Sequence, residues 1–212
     1  AYEISLGLVG SEMCIRDRNY LAHIYLSGKE PQVILGNFMA DSIKGNQYKN
    51  YPKQIQKGIL LHRHIDSTTD AHPSFRNSTK RLHANYGHYS GIIVDIFYDH
   101  YLAKNWNDYA TISLEEFANK SYQLFKENHA LLTPQIQYML PYMVQNNWLY
   151  NYQYLEEIAD TLTGMNRRTK NKSGMDKATY ELMEYYEAFE ADFRIVFRTL
   201  MQRSEKFIKY FN

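Results

Sequence analysis

Two apolar stretches of the chain contain carboxylates and imidazoles spaced by one helical turn. His62 and Asp66 are four residues apart, as are Asp95 and Asp99, so each pair shares one face if its segment is helical. A carboxylate ion is costly to remove from water, so it persists in an apolar interior when it is paired, protonated or bound to a metal. The convergence of several such groups therefore predicts a divalent cation.

The types of the candidate ligands narrow the choice of metal. A mixed set of carboxylates and imidazoles favours manganese, iron or zinc over calcium. The single cysteine, Cys14, argues against a structural zinc site or an iron–sulfur cluster. A second interpretation stays open, in which Asp95 and Asp99 form buried ion pairs with Arg63 or another base and no metal is bound.

Basic residues suited to an anionic group fall into two segments of the chain. Paired arginines can make bidentate contacts to phosphate or carboxylate, which is the chemistry we expect of them. For the later segment, a run of solvated charges with no binding role is the alternative interpretation. The candidate anion-binding residues are Arg63, Arg76, Lys80, Arg81, Arg167, Arg168, Lys170 and Lys172.

The composition favours helices as the elements that position these residues. The chain of 212 residues has 5 Pro and 10 Gly, too few for a turn-rich β architecture, while 20 Tyr, 10 Phe and 8 Met supply core volume. No stretch rich in Pro, Gly or Ser divides the chain. We therefore predict an all-α fold, built as a single compact multi-helix bundle.

Local patterns predict several helix boundaries. Pro31 suits the first turn of a helix that would place Asn37 and Asp41 on one face. The other predicted boundaries are a turn at 68–73, N-caps at Ser90 and Ser113, and a C′ position at Gly164.

Charge and motifs exclude several classes of function. The net charge of +1 gives no overall field that would attract nucleic acid. The chain lacks the G-x-G-x-x-G, Walker A, G-x-S-x-G and H-E-x-x-H motifs, so the commonest nucleotide, hydrolase-elbow and zincin sites are not expected. One cysteine excludes an internal disulfide, and no secretory or membrane-spanning segment is evident, so we expect a cytoplasmic protein without a membrane partner.

The first eighteen residues differ in composition from the rest of the chain. The segment from Ser5 to Arg18 is similar to a translated sequencing-adapter artefact, and we interpret residues 1–18 as a non-native leader. A genuine short extension is the alternative. The predicted domain therefore covers residues 19–212.

Five ordered motifs after Arg18 together identify a family. They are Asn19-Tyr20-Leu21-Ala22-His23, Gly36-Asn37-Phe38-Met39-Ala40-Asp41, residues 58–66 with Thr69-Asp70, Val94-Asp95 through Tyr98-Asp99-His100, and Gly164-Met165 with the arginines beyond. In these motifs the chain resembles the acyl carrier protein phosphodiesterase family, a divergent branch of the HD-type metal phosphohydrolases. His64 stands where many members have a second arginine, which weakens the case for a phosphate contact from that position.

The resemblance implies an HD-domain-like enzyme that depends on Mn²⁺, with Mg²⁺ or Fe²⁺ as alternatives. Such an enzyme cleaves the phosphodiester between a serine of holo acyl carrier protein and its phosphopantetheine arm, which leaves apo acyl carrier protein. The implied metal ligands are Asp41, His62, Asp66 and Asp99, followed by His23, Asp95 and His100.

The resemblance also suggests roles around the reacting phosphate. Arg63 would steady the phosphate, and Asp70 or one of the second-tier histidines would protonate the leaving oxygen. Carrier proteins are acidic, so a basic face is expected to bind them. The residues assigned to this face are Arg76, Lys80, Arg81, Arg167, Arg168 and Lys170.

Two other functions stay open on sequence grounds. One is an HD-type phosphohydrolase of a small nucleotide, because the same metal chemistry cleaves many phosphoesters. The other is a non-catalytic helical interaction module whose buried charges are only ion pairs.

Overall fold

Helices contain most of the described residues. The computed structural model describes residues 19–211, and within that range it contains α-helices, short 3₁₀ helices and no strand. The predicted all-α class is therefore confirmed. The interpretation of residues 1–18 as a non-native leader lies outside the described residues, and the assignment of 19–212 to one domain stays a prediction.

The α-helices are numbered along the chain. They are α1 (Tyr20–Leu26), α2 (Pro31–Phe38), α3 (Lys53–Ala71), α4 (Pro73–Tyr86), α5 (Ser90–Lys104), α6 (Leu114–Glu127), α7 (Pro134–Gln145), α8 (Trp148–Asn151), α9 (Leu155–Arg168), α10 (Thr179–Glu184) and α11 (Tyr186–Tyr210). The 3₁₀ helices are Ala40–Ser42, Gly45–Asn50, Gly87–Tyr89, Trp106–Asp108, His129–Leu131 and Met175–Lys177.

Two helix starts lie where the sequence predicts them. Pro31 is the first residue of α2, and the Ser113 side chain caps α6 by accepting a hydrogen bond of 3.1 Å from the Glu116 N–H. However, α2 ends at Phe38, so Asp41 lies in the following 3₁₀ turn and does not share a helix face with Asn37.

Two other predicted boundaries and one predicted cap are wrong. In place of the turn at 68–73, α3 continues to Ala71, and only His72 separates it from α4. In place of an end at Gly164, α9 continues to Arg168, because the buried side chain of Met165 packs the last turn against the core. Ser90 is the first residue of α5, and its hydroxyl donates to the Gly87 carbonyl instead of capping the helix.

The helices α2 and α3 cross with their backbones in contact at two glycines. A Cβ atom on Gly36 would lie 2.2 Å from the Ile55 carbonyl oxygen, and one on Gly58 would lie 2.1 Å from the Val33 carbonyl oxygen. Neither position can hold a side chain, so the two helices approach more closely than other residues would allow. The close approach also sets the distance between Asn37, which follows Gly36, and His62, which lies one turn after Gly58.

The core is centred on α5 and α11. The apolar stripe of α11 is buried at Phe189, Phe193, Val196 and Leu200. Most side chains of α5 are also buried, and Asp99 has no exposed surface. Among the described helices, none combines the length and the apolar character that crossing a membrane requires.

We expect the α2–α3 crossing to be sensitive to a single methyl group. The substitution Gly58→Ala places a Cβ against backbone atoms, which cannot move aside as a flexible side chain can, and overpacking of this kind costs about 1–3 kcal/mol. Thermal or denaturant unfolding would measure the loss.

Gly91→Ala is the matched control for stability. Gly91 lies in α5, and apart from its chain neighbours and its own helix backbone no atom lies within 4 Å of an added Cβ. The higher helix propensity of alanine should therefore leave the free energy of unfolding unchanged or raise it. Equal stability of Gly58→Ala and the wild type would contradict the proposed contact.

Candidate metal centre

Two imidazoles and a carboxylate from α1 and α3 meet at the edge of one cavity. One ligand atom each from His23, His62 and Asp66 lies within 4.8 Å of the others. The Nε2 atoms of both histidines are 3.3 Å from the Asp66 carboxylate, and the two rings stack with centroids 4.0 Å apart. His62 and Asp66 are separated by one turn of α3, so helix geometry alone places them on one face.

Asp41 joins this group from the 3₁₀ turn that follows α2. Its Oδ1 atom is 3.1 Å from Nε2 of His62. The turn is held in place by Ser42, whose hydroxyl donates to the Met39 carbonyl and contacts the Thr133 hydroxyl at 2.7 Å. The shortness of α2 therefore positions Asp41, because a continuing helix would have placed this residue one turn beyond Asn37 on the same face.

Asn37 sets the orientation of both imidazole rings. Its side-chain oxygen lies 3.0 Å from Nδ1 of His23 and 3.0 Å from Nδ1 of His62. Its amide group donates to the His23 carbonyl and to Ser27, so the oxygen must face the rings. An amide oxygen only accepts, so each Nδ1 carries the proton and each Nε2 is directed at the carboxylates.

The electrostatics of the group favour positive charge between the side chains. Burial alone lowers the pKa of His62, but the carboxylates of Asp41 and Asp66 outweigh burial and raise it to about 9. In the absence of a cation, His62 is thus the group that takes up positive charge. A divalent ion bound to the same carboxylates would supply that charge instead.

The side chains of His23, His62, Asp66 and Asp41 line part of a cavity of about 670 Å³, whose wall is rich in carboxylates. Five aspartates line it, whereas Lys44 is the only lysine or arginine among the lining residues that the structure describes. Burial raises the pKa of Asp95 well above its ordinary value, and repulsion from neighbouring carboxylates, first Asp66, adds to this. The aspartates that line the cavity are Asp41, Asp66, Asp70, Asp95 and Asp99.

The donor set fits a divalent transition-metal ion. The set consists of two imidazoles, each with its Nδ1 already bonded, and two carboxylates that lie within 3.3 Å of an Nε2 atom. Manganese, iron and zinc accept such a mixture of nitrogen and oxygen ligands. The hydrogen bonds from Asn37 are the supporting contacts that ligating histidines usually have. The residues that would hold the ion are His23, His62, Asp66 and Asp41.

Asp99 lines the cavity, but both of its oxygens already accept backbone hydrogen bonds. They accept from the N–H groups of Leu21 and Ala22, each at 2.9 Å. Asp99 thereby satisfies two backbone donors at the start of α1 that have no partner within the helix, and α1 is the helix that carries His23. Burial raises the pKa of Asp99 to about 7, although the two backbone donors act in the opposite direction. The structure thus gives Asp99 a role in positioning α1.

The structure places His100 away from the other predicted ligands. Its Nδ1 atom is 2.8 Å from the Tyr152 carbonyl, and its Nε2 atom is 2.6 Å from the Tyr186 hydroxyl. His100 is not among the residues that line the cavity, because it follows Asp99 by one residue and so turns to another face of α5. Both ring nitrogens are bonded to the protein, which leaves none for a metal.

Arg63, predicted to steady the phosphate, contacts protein instead. Its Nη2 atom donates to the carbonyl oxygens of Ile43 and Gly45, at 3.0 and 2.8 Å, and its guanidinium lies over the Tyr48 ring. Arg63 does not line the cavity, since it follows His62 and turns away from the face that carries the ligands. Asp70, the predicted proton donor, does line the cavity and is exposed.

The six predicted docking residues fall into two surroundings. On α4, Arg81 is paired with Asp192 at 2.6 Å, while Arg76 donates to the Asp70 carbonyl and Lys80 is exposed. The other three, Arg167, Arg168 and Lys170, are exposed at the end of α9 and in the loop after it.

Sequence reasoning did not assign a role in the site to Asn37, Lys44 or His88, all of which the structure places in or beside it. His88 and Lys44 line the cavity from exposed turns. The local indications for Asn37 were its place in one of the five motifs and the predicted helix face that it shares with Asp41. Lys44 follows Asp41 by three residues, a spacing that carries no information until the turn is known.

Comparison with known proteins identifies the family. A family model described as acyl carrier protein phosphodiesterase matches residues 18–200, most of the chain. This chain belongs to the acyl carrier protein phosphodiesterase family. The resemblance seen in the five motifs is therefore confirmed, and the four candidate metal ligands all lie within the matched range.

Curated relatives in the acyl carrier protein phosphodiesterase family match over nearly their whole length. Those from Photorhabdus laumondii and Yersinia pestis are 32% and 29% identical over 189 and 188 residues. Each alignment covers 88% of this chain, and 95% and 97% of the respective relative. No solved structure matches the chain.

We expect Asn37→Ala to weaken metal binding. The two Nδ1 donors would lose their shared acceptor, and loss of such a supporting contact typically reduces metal affinity about 10- to 100-fold. Calorimetric titration with Mn²⁺ would measure the change.

Asn166→Ala is a matched control for this variant. Asn166 is also a buried asparagine whose side-chain nitrogen and oxygen are both hydrogen-bonded, but its partners are Asp176, Ser173 and Gly174 in the loop after α9. Its loss should lower stability and leave Mn²⁺ affinity intact. Equal Mn²⁺ affinity in Asn37→Ala and the wild type would contradict the orienting role of Asn37.

Proposed function

We propose that this protein is a metal-dependent phosphodiesterase that converts holo acyl carrier protein to apo acyl carrier protein. Membership of the acyl carrier protein phosphodiesterase family supports the reaction. The single structural observation that carries the metal requirement is the cluster of His23, His62 and Asp66 at the wall of a carboxylate-rich cavity. The reaction adds water across the serine–phosphate ester and releases 4′-phosphopantetheine.

The residues of the cluster would hold one divalent ion, with Mn²⁺ as the expected metal. The chemistry supplied by a bound ion of this kind is a lowered pKa of water and partial neutralisation of the phosphoryl oxygens. The task of Asn37 is to keep both Nε2 atoms directed inward, and that of Asp99 is to anchor the helix that carries His23. Mg²⁺ and Fe²⁺ are alternatives on the same donor set.

Proton transfer to the leaving serine oxygen requires an acid at the cavity. Asp70 is exposed and lines the cavity one helical turn beyond Asp66, so a carrier-protein serine that reaches the cluster would pass beside it. We assign this proton transfer to Asp70.

The acidic carrier protein would dock on the basic loop, defined as residues 167–177. Five basic side chains of this segment are exposed: Arg167, Arg168, Lys170, Lys172 and Lys177. The loop is ordered from inside by Asn166, which bonds to Ser173, Gly174 and Asp176. The basic loop lies beside Tyr86. The next residues, Gly87–Tyr89, form a turn that lines the cavity, so a carrier protein bound to the loop would lie near the cavity mouth.

The function is tested by incubating purified protein and Mn²⁺ with holo acyl carrier protein and, separately, with a panel of nucleotides. Mass spectrometry of the carrier should show loss of phosphopantetheine, while the nucleotides stay intact. Hydrolysis of a nucleotide without conversion of the carrier would support the small-nucleotide phosphohydrolase instead.

Asp66→Asn should remove the activity and the bound metal together. The substitution keeps the shape of the side chain but removes the negative charge that faces both histidines, and we expect kcat/KM to fall roughly 100-fold or more. Circular dichroism should show an unchanged helical fold, and metal analysis should show reduced Mn²⁺ content. A variant that keeps full activity would exclude Asp66 from the centre.

Charge reversal at both Arg167 and Arg168 should raise KM for holo carrier protein more than it lowers kcat. The two side chains are exposed and away from the cluster, so they affect encounter and docking while the chemical step is unaltered. The effect should shrink as ionic strength rises. A small diester such as bis(4-nitrophenyl) phosphate is the control substrate, and an unchanged KM for the carrier would place docking elsewhere.

A further inference from the structure

One basic side chain that lines the cavity, Lys44, was not assigned a role from the sequence. No other lysine or arginine of residues 19–211 lines this cavity. A phosphodiester that enters a cavity lined by five aspartates meets strong repulsion unless positive charge is already in place. Lys44 supplies such a charge independently of any metal ion.

Lys44 sits on a turn whose backbone is held on both sides. The carbonyl groups of Ile43 and Gly45, the residues before and after Lys44, both accept from the same Nη2 atom of Arg63, at 3.0 and 2.8 Å. Ile43 is buried, and Gly45 has a φ of 53°, in the region that favours glycine. The turn is therefore fixed, although the Lys44 side chain itself is exposed.

Arg63 is in turn held by the element that follows the turn. The Tyr48 ring, in the 3₁₀ helix Gly45–Asn50, lies 5.2 Å from the guanidinium carbon of Arg63. Arg63 follows His62 directly in α3, so the same stretch of helix carries a metal-centre histidine and the clamp on the Lys44 turn. The relative placement of Lys44 and the cluster is thus fixed through one helix.

Two arginines of α4 do not supply this charge. Arg81 is bonded to Asp192 and Arg76 donates to the Asp70 carbonyl, and neither lines the cavity. Among the described residues, the salt bridges do not include Lys44. A lysine ammonium is a compact point charge that can follow a phosphate oxygen through the reaction.

We infer that Lys44 binds the phosphodiester of the substrate and that Arg63 is a positioning residue that holds the Lys44 turn. The inference rests on the proposed function for the identity of the substrate, but the contact itself requires only a phosphodiester anion. It reverses the assignment made from sequence, in which Arg63 touched the phosphate.

The test compares Lys44→Gln with the matched control Lys49→Gln. Lys49 is exposed on the neighbouring 3₁₀ helix and does not line the cavity. With Mn²⁺ present, Lys44→Gln should lower kcat/KM about 10- to 100-fold on both holo carrier protein and bis(4-nitrophenyl) phosphate, because the phosphodiester is what the two substrates share. Lys49→Gln should match the wild type, and Lys44→Arg should keep most of the activity.

Two results would overturn the phosphate contact. One is unchanged kinetics of Lys44→Gln on both substrates. The other is a loss confined to holo carrier protein, which would make Lys44 a docking residue. Calorimetric titration with inorganic phosphate adds a readout without turnover, in which Lys44→Gln should bind phosphate more weakly than Lys49→Gln does.

A double-mutant cycle tests the positioning role of Arg63. Arg63→Gln should lower kcat/KM in the wild type but have little further effect in the Lys44→Gln background, because it acts through Lys44. If the two substitutions lowered kcat/KM additively, the positioning role of Arg63 would be overturned, because an effect of Arg63 that is independent of Lys44 adds to the effect of Lys44→Gln. Thermal unfolding of each variant verifies that the fold is kept.

The design separates failure of this inference from failure of the proposed function. If the wild type hydrolyses the small diester but leaves holo carrier protein intact, the proposed substrate is wrong and Lys44 is still tested on the diester and on phosphate. If holo carrier protein is converted equally well by Lys44→Gln and wild type, only the inference fails.

Discussion

The arrangement of the site depends on the close crossing of α2 and α3. Gly36 and Gly58 allow the two backbones to touch, and this contact brings Asn37 of one helix within 3.0 Å of His62 of the other. Asn37 then reaches His23 on α1 as well, so a single amide oxygen orients two imidazoles from two helices. A larger residue at either glycine would separate the helices, and the two histidines would lose their common acceptor.

Concentrated negative charge is the second constraint on this protein. Five aspartates surround one cavity. Burial raises the pKa of Asp95, and repulsion from neighbouring carboxylates raises it further, while attraction to Asp41 and Asp66 raises the pKa of His62. The fold tolerates the cost because backbone donors, imidazoles and Lys44 offset part of the charge. The remaining negative charge would favour a bound cation, as the proposed metal-dependent hydrolysis requires.

Geometry explains why several residues have roles other than those predicted from the sequence. Arg63 and His100 each follow a predicted ligand by one position, and one residue turns a helix by about 100°, so their side chains leave the cavity. Asp99 faces the cavity, but it lies opposite the start of α1 and binds two backbone N–H groups there. Sequence spacing places residues on a face and cannot reveal which other element that face meets.

The sequence by itself determined the helical class, the family and the pairing of His62 with Asp66, because these depend on local periodicity, composition and ordered motifs. Tertiary structure alone decided that Asn37 orients both histidines, that Asp41 reaches the cluster from a turn, and that Lys44 rather than Arg63 lines the cavity. These facts arise where separate helices cross or a turn folds back, so the interacting groups are brought together by packing, which no local pattern records.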